Sequence, residues 1–564
     1  MEYGPNRKVA GILVPVFSLR GTEDLGIGDT AALREFVKWA AKHGFGAVQI
    51  LPVNETGNDN SPYNVLSSMA LDPLTIATSP SDLPDLEEAI YQQILEEHPI
   101  DPNPDRVNYV LVKPLKQALM EAAYRYFSAR PPQSARRRAF LKFQRDQAFW
   151  LEDYALHRAL IDWNHGVEDF SQWLPEQQTP AGARDWINEL SEDDQQAFQD
   201  RVRFRAYVQW VARMQWEGVR KFCEKLEVLL IGDVPVGVSM HSTDVWQTPA
   251  IFDLTRSCGA PPEKVFKADP FTETWGQNWG FPLYDWKVMA EDNFAWWRQR
   301  LRSTLGIFHL LRVDHALGFF RIYSFPWKPQ DNGRFTLLTP EEAATITGGP
   351  LPGFVDFDDS SEEHREHNRR HGEMVFQMFI EETGPHKLLA EDLGEVAPYV
   401  RPSLAKLEVP GFKIPQWERN WDRLLPGVEY PRLSLATFAT HDHPPIRSFW
   451  EDLFAETRDP EKQTAAIHSQ WEFMDFCGQP EVSLPAAFTP EIHKIFLRGL
   501  FLSNSWLAVH MISDLLGNTD RFNTPGSVDR GNWTQRIPCP IEDLDTNYAE
   551  LLRFVKPAIR ESGR

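Results

Sequence analysis

The sequence predicts an α/β protein built as one (β/α)8 barrel, and three observations carry that expectation. Eight short apolar runs recur along the chain. The first two are joined by a single amphipathic helix, which is the start of a parallel βαβ sheet. Four of the runs lead into a carboxylate, as expected where strand ends converge on a barrel axis.

The first run, Val9 to Val16, is almost continuously apolar, like a strand buried on both faces. GIGD (Gly26 to Asp29) lacks the third glycine of a dinucleotide fingerprint and reads as a turn. Asp29 and Thr30 can then cap a helix in which Leu33, Phe36, Val37 and Ala40 share one face, and Gly44 ends it. Ala47 to Val53 reads as the second strand. Residues 82–225 break the rhythm. They are rich in Gln, Glu, Arg and Trp with helical periodicity, as in Ala139 to Leu160 and Gln195 to Leu226, and read as a large helical insertion between strands 2 and 3. The remaining strands are expected at Val228 to Gly232, Phe308 to Val313, Lys387 to Ala390, Gly411 to Ile414, Leu435 to Thr440 and Ala508 to Ile512. An irregular stretch, 325–375, carries Pro, Gly and an acidic run (Asp356 to Glu366) that reads as solvated surface. Residues 1–564 thus form a single catalytic barrel with two insertions.

Composition narrows the function. Fifty-eight Lys and Arg against eighty Asp and Glu leave a net charge of −22, and no basic run offsets it, so nucleic acid is not an expected partner. Four scattered cysteines (Cys223, Cys258, Cys477, Cys539) form neither a disulfide framework nor a zinc site and suit a reducing compartment. No apolar stretch approaches the roughly 20 residues of a membrane helix, and the N-terminus lacks a cleavage signal, so a cytoplasmic protein is expected. Twenty tryptophans serve either as core or, in part, as flat platforms for sugar rings.

Chemistry-bearing residues cluster where runs end: Asp233, Asp314, Glu391 and Asp442. Retaining glycosyl transfer needs a nucleophilic carboxylate and an acid/base about 5 to 5.5 Å away, which two strand ends can supply. Arg312 lies two residues before Asp314, on the same side of a strand, where its charge would keep Asp314 ionised. Glu391 follows an apolar run and precedes Asp392, so burial and a like charge would raise its pKa, as a proton donor requires. For each taken alone, the plainer reading is a salt bridge on the barrel rim. His441, Asp442 and His443 also resemble the metal-binding pair of phosphohydrolases, although neighbours on an extended strand point to opposite sides. No GxxxxGK[ST], GxSxG or HExxH motif is present.

Seven motifs in order, between Gly11 and Trp533, resemble the 4-alpha-glucanotransferases called amylomaltases or disproportionating enzymes, a (β/α)8 family related to α-amylases. They are SPYNVLSSMALDPL (Ser61 to Leu74), IGDVPVGVSMHSTDVW (Ile231 to Trp246), GQNWGFPLYDW (Gly276 to Trp286), LRVDHALGFFR (Leu311 to Arg321), LLAEDLGEV (Leu388 to Val396), ATHDHPPI (Ala439 to Ile446) and DLLGNTDRFNTPGSV (Asp514 to Val528). The resemblance implies that Asp314 is the nucleophile, Glu391 the acid/base and Asp442 the transition-state stabiliser. It implies that Asp233, Arg312, His315 and His441 contact the sugar at the scissile bond. Ser61, Tyr63, Gln277, Trp279 and Asn523 match further glucan-binding positions. It also implies no cofactor, no metal and no C-terminal β-domain, and α-1,4-glucans and maltooligosaccharides as partners. Two segments depart from the family pattern. Pro410 to Asn420 has Asn420 where many members carry an Asp, and Asn54 to Asn60 replaces a Gly-rich form. The expected reaction is transfer of an α-1,4-glucan segment to the 4-hydroxyl of another glucan with retained configuration. An α-glucan hydrolase using the same carboxylates, a non-catalytic glucan binder and a metal phosphohydrolase stay open.

Overall fold

The computed structural model describes residues 4–101, 103–262, 269–526 and 531–564. Ser527 and Val528 of the last motif lie outside them. Eight parallel strands close into a barrel: β1 (Val9–Leu13), β2 (Ala47–Gln49), β3 (Leu229–Val234), β4 (Leu310–Val313), β5 (Leu388–Ala390), β6 (Gly411–Lys413), β7 (Ser434–Ala436) and β8 (Leu507–Met511). Each pairs with its sequence neighbours, and β8 closes on β1 with Val9 opposite Leu507 and Leu13 opposite Met511. Every one of the eight runs read from the sequence holds a strand. The strands are shorter than some runs because ladder pairing stops where the chain bends into the C-terminal loops; Val53 and Thr440 already belong to those loops.

The residue pattern explains the burial. Ile12, Val48, Leu230, Leu311, Leu389 and Leu435 are inaccessible to solvent, as expected for strands walled by side chains inside and helices outside. Twelve of the twenty tryptophans are buried, and Trp216, Trp246, Trp297, Trp450 and Trp506 fully so.

The GIGD segment is a turn, as its two glycines suggest. Gly26 adopts φ 80°, and a Cβ on Gly28 would lie 2.0 Å from the Val16 carbonyl oxygen. The turn delivers Asp29 to the start of helix Thr30–Lys42, where its carboxylate accepts from the amides of Ala31 and Ala32. Between β2 and β3 the chain forms six α-helices, from Glu88–Glu97 to the 34-residue helix Glu192–Lys225, which packs on helix Thr30–Lys42 and runs into β3. Between β3 and β4 the chain supplies two strands of a small antiparallel sheet, Ser257–Ala260 and Gln277–Asn278. Ile322–Phe325 and Gly353–Val355, which follow β4, complete it. The acidic run is surface, but its second half is ordered: Ser361 caps helix Glu362–Thr383, and Glu362 and Glu363 sit in the first turn, where the helix dipole favours negative charge. After β8 the described residues form only helices and loops, with no further β-domain.

Asp29 carries more than its cap. The ammonium of Lys116, 2% exposed, lies 3.2 Å from Asp29 Oδ2 and donates to the Ile76 carbonyl at 2.6 Å. Replacing Asp29 by Ala removes the cap and strands a buried cation, which costs about 3–5 kcal/mol. Urea denaturation followed by circular dichroism is expected to show a clear fall in midpoint for Asp29→Ala.

Candidate active site

Register builds the centre of the site. Arg312 on β4 is paired with Asp233 on β3, and in-register residues of parallel neighbours project to the same face. Arg312 Nη1 therefore meets both oxygens of Asp233, at 2.8 and 2.6 Å. Two residues on, at the end of β4, Asp314 Oδ1 accepts from the same nitrogen at 3.0 Å. Glu391, directly after β5, places Oε2 3.9 Å from Arg312 Nη2. One guanidinium, 4% exposed, thus carries three carboxylates. Tyr63 completes the cluster: its hydroxyl donates to Asp233 Oδ2 at 2.8 Å.

Three carboxylates around one cation leave an excess of negative charge in a dry place. Glu391 has the longest contact: burial, with Asp314 and Asp392 adding like charge, raises its pKa well above the ordinary carboxyl value against the pull of Arg312. The backbone amide of His315 donates to Glu391 Oε2 at 2.8 Å, so a proton on this carboxyl belongs on Oε1. His315 reaches this position with φ 44°, in the left-handed region. Burial lowers the His315 imidazole to about 4, so it faces the cleft neutral at neutral pH, with Trp279 edge-on at 4.9 Å.

The loops after β7 and β8 supply the opposite wall. Asp442 Oδ1 accepts from the Asn523 amide at 2.6 Å, and Oδ2 lies 3.2 Å from His441 Nε2. Burial works against the charge of Asp442, but the His441 imidazole and the Asn523 amide outweigh it and hold its pKa well below the usual value. His441 is stacked on Tyr63 at 5.0 Å. Gln277 accepts from the Trp279 indole at 3.2 Å, and Ser61 Oγ from the Tyr63 amide at 3.4 Å. Every sequence-predicted site residue except Asp233 lines one cavity of about 2200 Å³; Asp233, 2% exposed, sits behind Arg312. That volume exceeds the roughly 300–1,000 Å³ of an ordinary small-molecule pocket and suits a polymer.

His441 and Asp442 face each other at 3.2 Å, while His443 is engaged with Thr440. His443 Nδ1 lies 2.7 Å from Thr440 Oγ1, and among the described residues no group of three or more His, Cys, Asp or Glu side chains could hold a metal ion. Asn420, singled out as a departure, is exposed on a hairpin outside the cavity wall. Sequence reasoning passed over Arg521 and Trp533. The Arg521 guanidinium donates to the carbonyls of Asp442 (2.8 Å) and Asn523 (2.7 Å), tying the two loops together. Trp533 packs on both Tyr63 and His441. Arg521 lies two residues before Asn523 in the TDRFN segment, and that proximity is its signal in the sequence.

A family model described as 4-alpha-glucanotransferase matches residues 14–542. The chain belongs to the 4-alpha-glucanotransferase family. A 4-alpha-glucanotransferase of Chlamydia caviae is 30% identical over 552 residues, covering 96% of this chain and 92% of the relative. That of Thermus thermophilus is 29% identical over 540 residues, covering 93% and 94%. The amylomaltase of Streptococcus agalactiae, solved in complex with acarbose, has the same fold, with a TM-score of 0.76 at 23% identity over 99% of this chain and all of that one. Glycosyl transfer between alpha-glucans is accordingly the activity of this enzyme, in preference to hydrolysis or bare glucan binding.

The raised Glu391 pKa predicts how activity responds to pH. With Glu391 as the proton donor, the role proposed below, kcat/KM is expected to fall as pH rises through its pKa, because an acid must be protonated to act. Asp392 contributes to the rise, and its carboxylate accepts from the Phe412 amide at 2.6 Å, a bond that an Asn carbonyl can keep. Asp392→Asn is expected to move the alkaline limb of the pH profile to lower pH, measured as kcat/KM for maltooligosaccharide transfer.

Proposed function

We infer that the enzyme works by double displacement, with Asp314 as nucleophile, Glu391 as acid/base and Asp442 as transition-state stabiliser. The observation that carries this reading is the placement of Asp314 and Glu391 at adjacent strand ends on one buried guanidinium. In the first step Asp314 attacks the anomeric carbon of an α-1,4-glucan and the glycosidic bond breaks. Glu391 gives its proton to the departing oxygen, and a covalent glycosyl–enzyme ester remains. In the second step Glu391, now ionised, takes the proton from the 4-hydroxyl of an acceptor glucan as that oxygen attacks the anomeric carbon. Asp314 is released, and two inversions retain the configuration.

Other residues act around that step. Arg312 keeps a positive charge beside Asp314 throughout. Asp442 is fixed by His441 and Asn523 as an ionised group. It is suited to gripping sugar hydroxyls and to opposing the positive charge that develops on the ring. His315, Trp279, Gln277 and Ser61 would contact sugar units along the cleft, with Asp233 acting through Arg312 and Tyr63. Transfer in place of hydrolysis requires an enclosed cleft. Residues 82–225 and 325–375, read as helical and irregular insertions on the barrel, support that requirement, because Tyr109, Val110 and Phe354 line the cavity. A cytoplasmic location is supported by four unbridged cysteines; among the described residues no helix is long and apolar enough to cross a membrane.

Purified enzyme incubated with maltotriose is expected to give glucose together with a ladder of shorter and longer maltooligosaccharides on chromatography. Asp314→Asn is expected to lower that transfer by on the order of 10⁴-fold or more, and Glu391→Gln by about 10²–10⁴-fold. Products confined to glucose and maltose would move the assignment to hydrolysis.

A further inference from the structure

Trp421 is 95% exposed, more than any other large apolar side chain among the described residues. It begins the turn between the strands Arg419–Asn420 and Arg423–Leu424, which pair with Asn420 opposite Arg423. Its φ of 59° lies in the left-handed region. Gly, Asn and Asp are usual at such a turn, and a bulky aromatic there is strained as well as solvated. Neither hydrophobic burial nor turn chemistry places an indole at this point, and strain held at an exposed site directs attention to function.

The hairpin is tied by ion pairs to the rim of the active-site cleft. Arg419 pairs with Glu472, which is buried on helix Gln463–Phe476, and also donates to the Asp422 carbonyl at 3.0 Å. At its base, Glu418 pairs with Lys413 at 3.0 Å and with Arg401 at 3.4 Å. Arg401 lines the cleft, and so does Trp417, which is 43% exposed and packs edge-on against His443 at 4.9 Å. Trp421 lies four positions after Trp417, so their backbones lie no more than about 14 Å apart. Trp471, 40% exposed, adjoins Glu472 on the supporting helix.

We propose that the Trp421 hairpin is a glucan-binding platform outside the catalytic cleft, which receives the part of a long α-glucan that passes out of the cleft over Trp417. The occupant follows from continuity with the cleft and from chemistry. An indole left in water offers a flat apolar surface to the C–H face of a glucose ring, and no charge need be matched. The platform deepens the function proposed above and rests on it. It would favour long donors or acceptors over short ones without touching the reacting atoms.

The test uses the full-length enzyme and the variants Trp421→Ala and Trp421→Phe. KM is measured for long amylose and for maltotriose, and maltoheptaose binding is measured by calorimetry in the Asp314→Asn background, where turnover is strongly reduced. The expected result is that Trp421→Ala raises the ratio of the amylose KM to the maltotriose KM by about ten-fold, while Trp421→Phe recovers part of the loss. Because the side chain is solvated, loss of fold is not expected, and circular dichroism checks it. An unchanged ratio overturns the proposal. A change confined to self-association in sedimentation overturns it as well, since the ring would then be a contact between copies. If the wild-type enzyme gives no ladder from maltotriose, the function fails. If it gives the ladder and the ratio does not move, only the platform fails.

Discussion

A guanidinium removed from water is tolerated only when carboxylates surround it, and a carboxylate removed from water keeps its charge only beside a cation. Arg312 meets both conditions at once. It neutralises Asp233 directly, stands against Asp314 and leaves Glu391 at the edge of its reach. The same cation therefore sets two carboxylates apart in character: one in close contact with positive charge, the other left to burial and to its acidic neighbours. Removing Arg312 would leave three buried acids in mutual repulsion.

The barrel makes that arrangement possible by register. Asp233, Arg312, Asp314 and Glu391 belong to three adjacent strands, so hydrogen-bond ladders fix their relative heights. A one-residue slip would turn Arg312 away from Asp233. The opposing wall is built differently. Asp442 and Asn523 sit on loops, and Arg521, His441 and Tyr63 bind those loops to each other and to the Arg312 cluster. A rigid floor and a cross-linked wall then enclose a cavity large enough for a chain of sugars.

Much of this was legible in the residue pattern. The eight apolar runs mark the strands because a strand buried on both faces needs apolar residues at nearly every position, and few other elements show that signature in so short a span. The carboxylates following those runs mark the site for the same topological reason. Arg521 and Trp533 were less legible, because each acts through backbone carbonyls or neighbouring rings, contacts that residue type alone does not announce. The hairpin at Trp421 was hidden for a related reason: tryptophan in a sequence reads as core, and only a fold shows which indole has been left in water.

By itself the sequence determined the barrel, the order of its strands, the helix capped by Asp29 and which carboxylates follow the strands, since these depend on local pattern and on residue type. The tertiary structure alone decided that Asp233 stands behind the cavity wall, and that the His315 amide selects one oxygen of Glu391. It also decided that Asp442 is held by an amide from a loop 81 residues away. Those outcomes depend on contacts of 2.6 to 2.8 Å between elements far apart in the chain, and no local pattern encodes such distances.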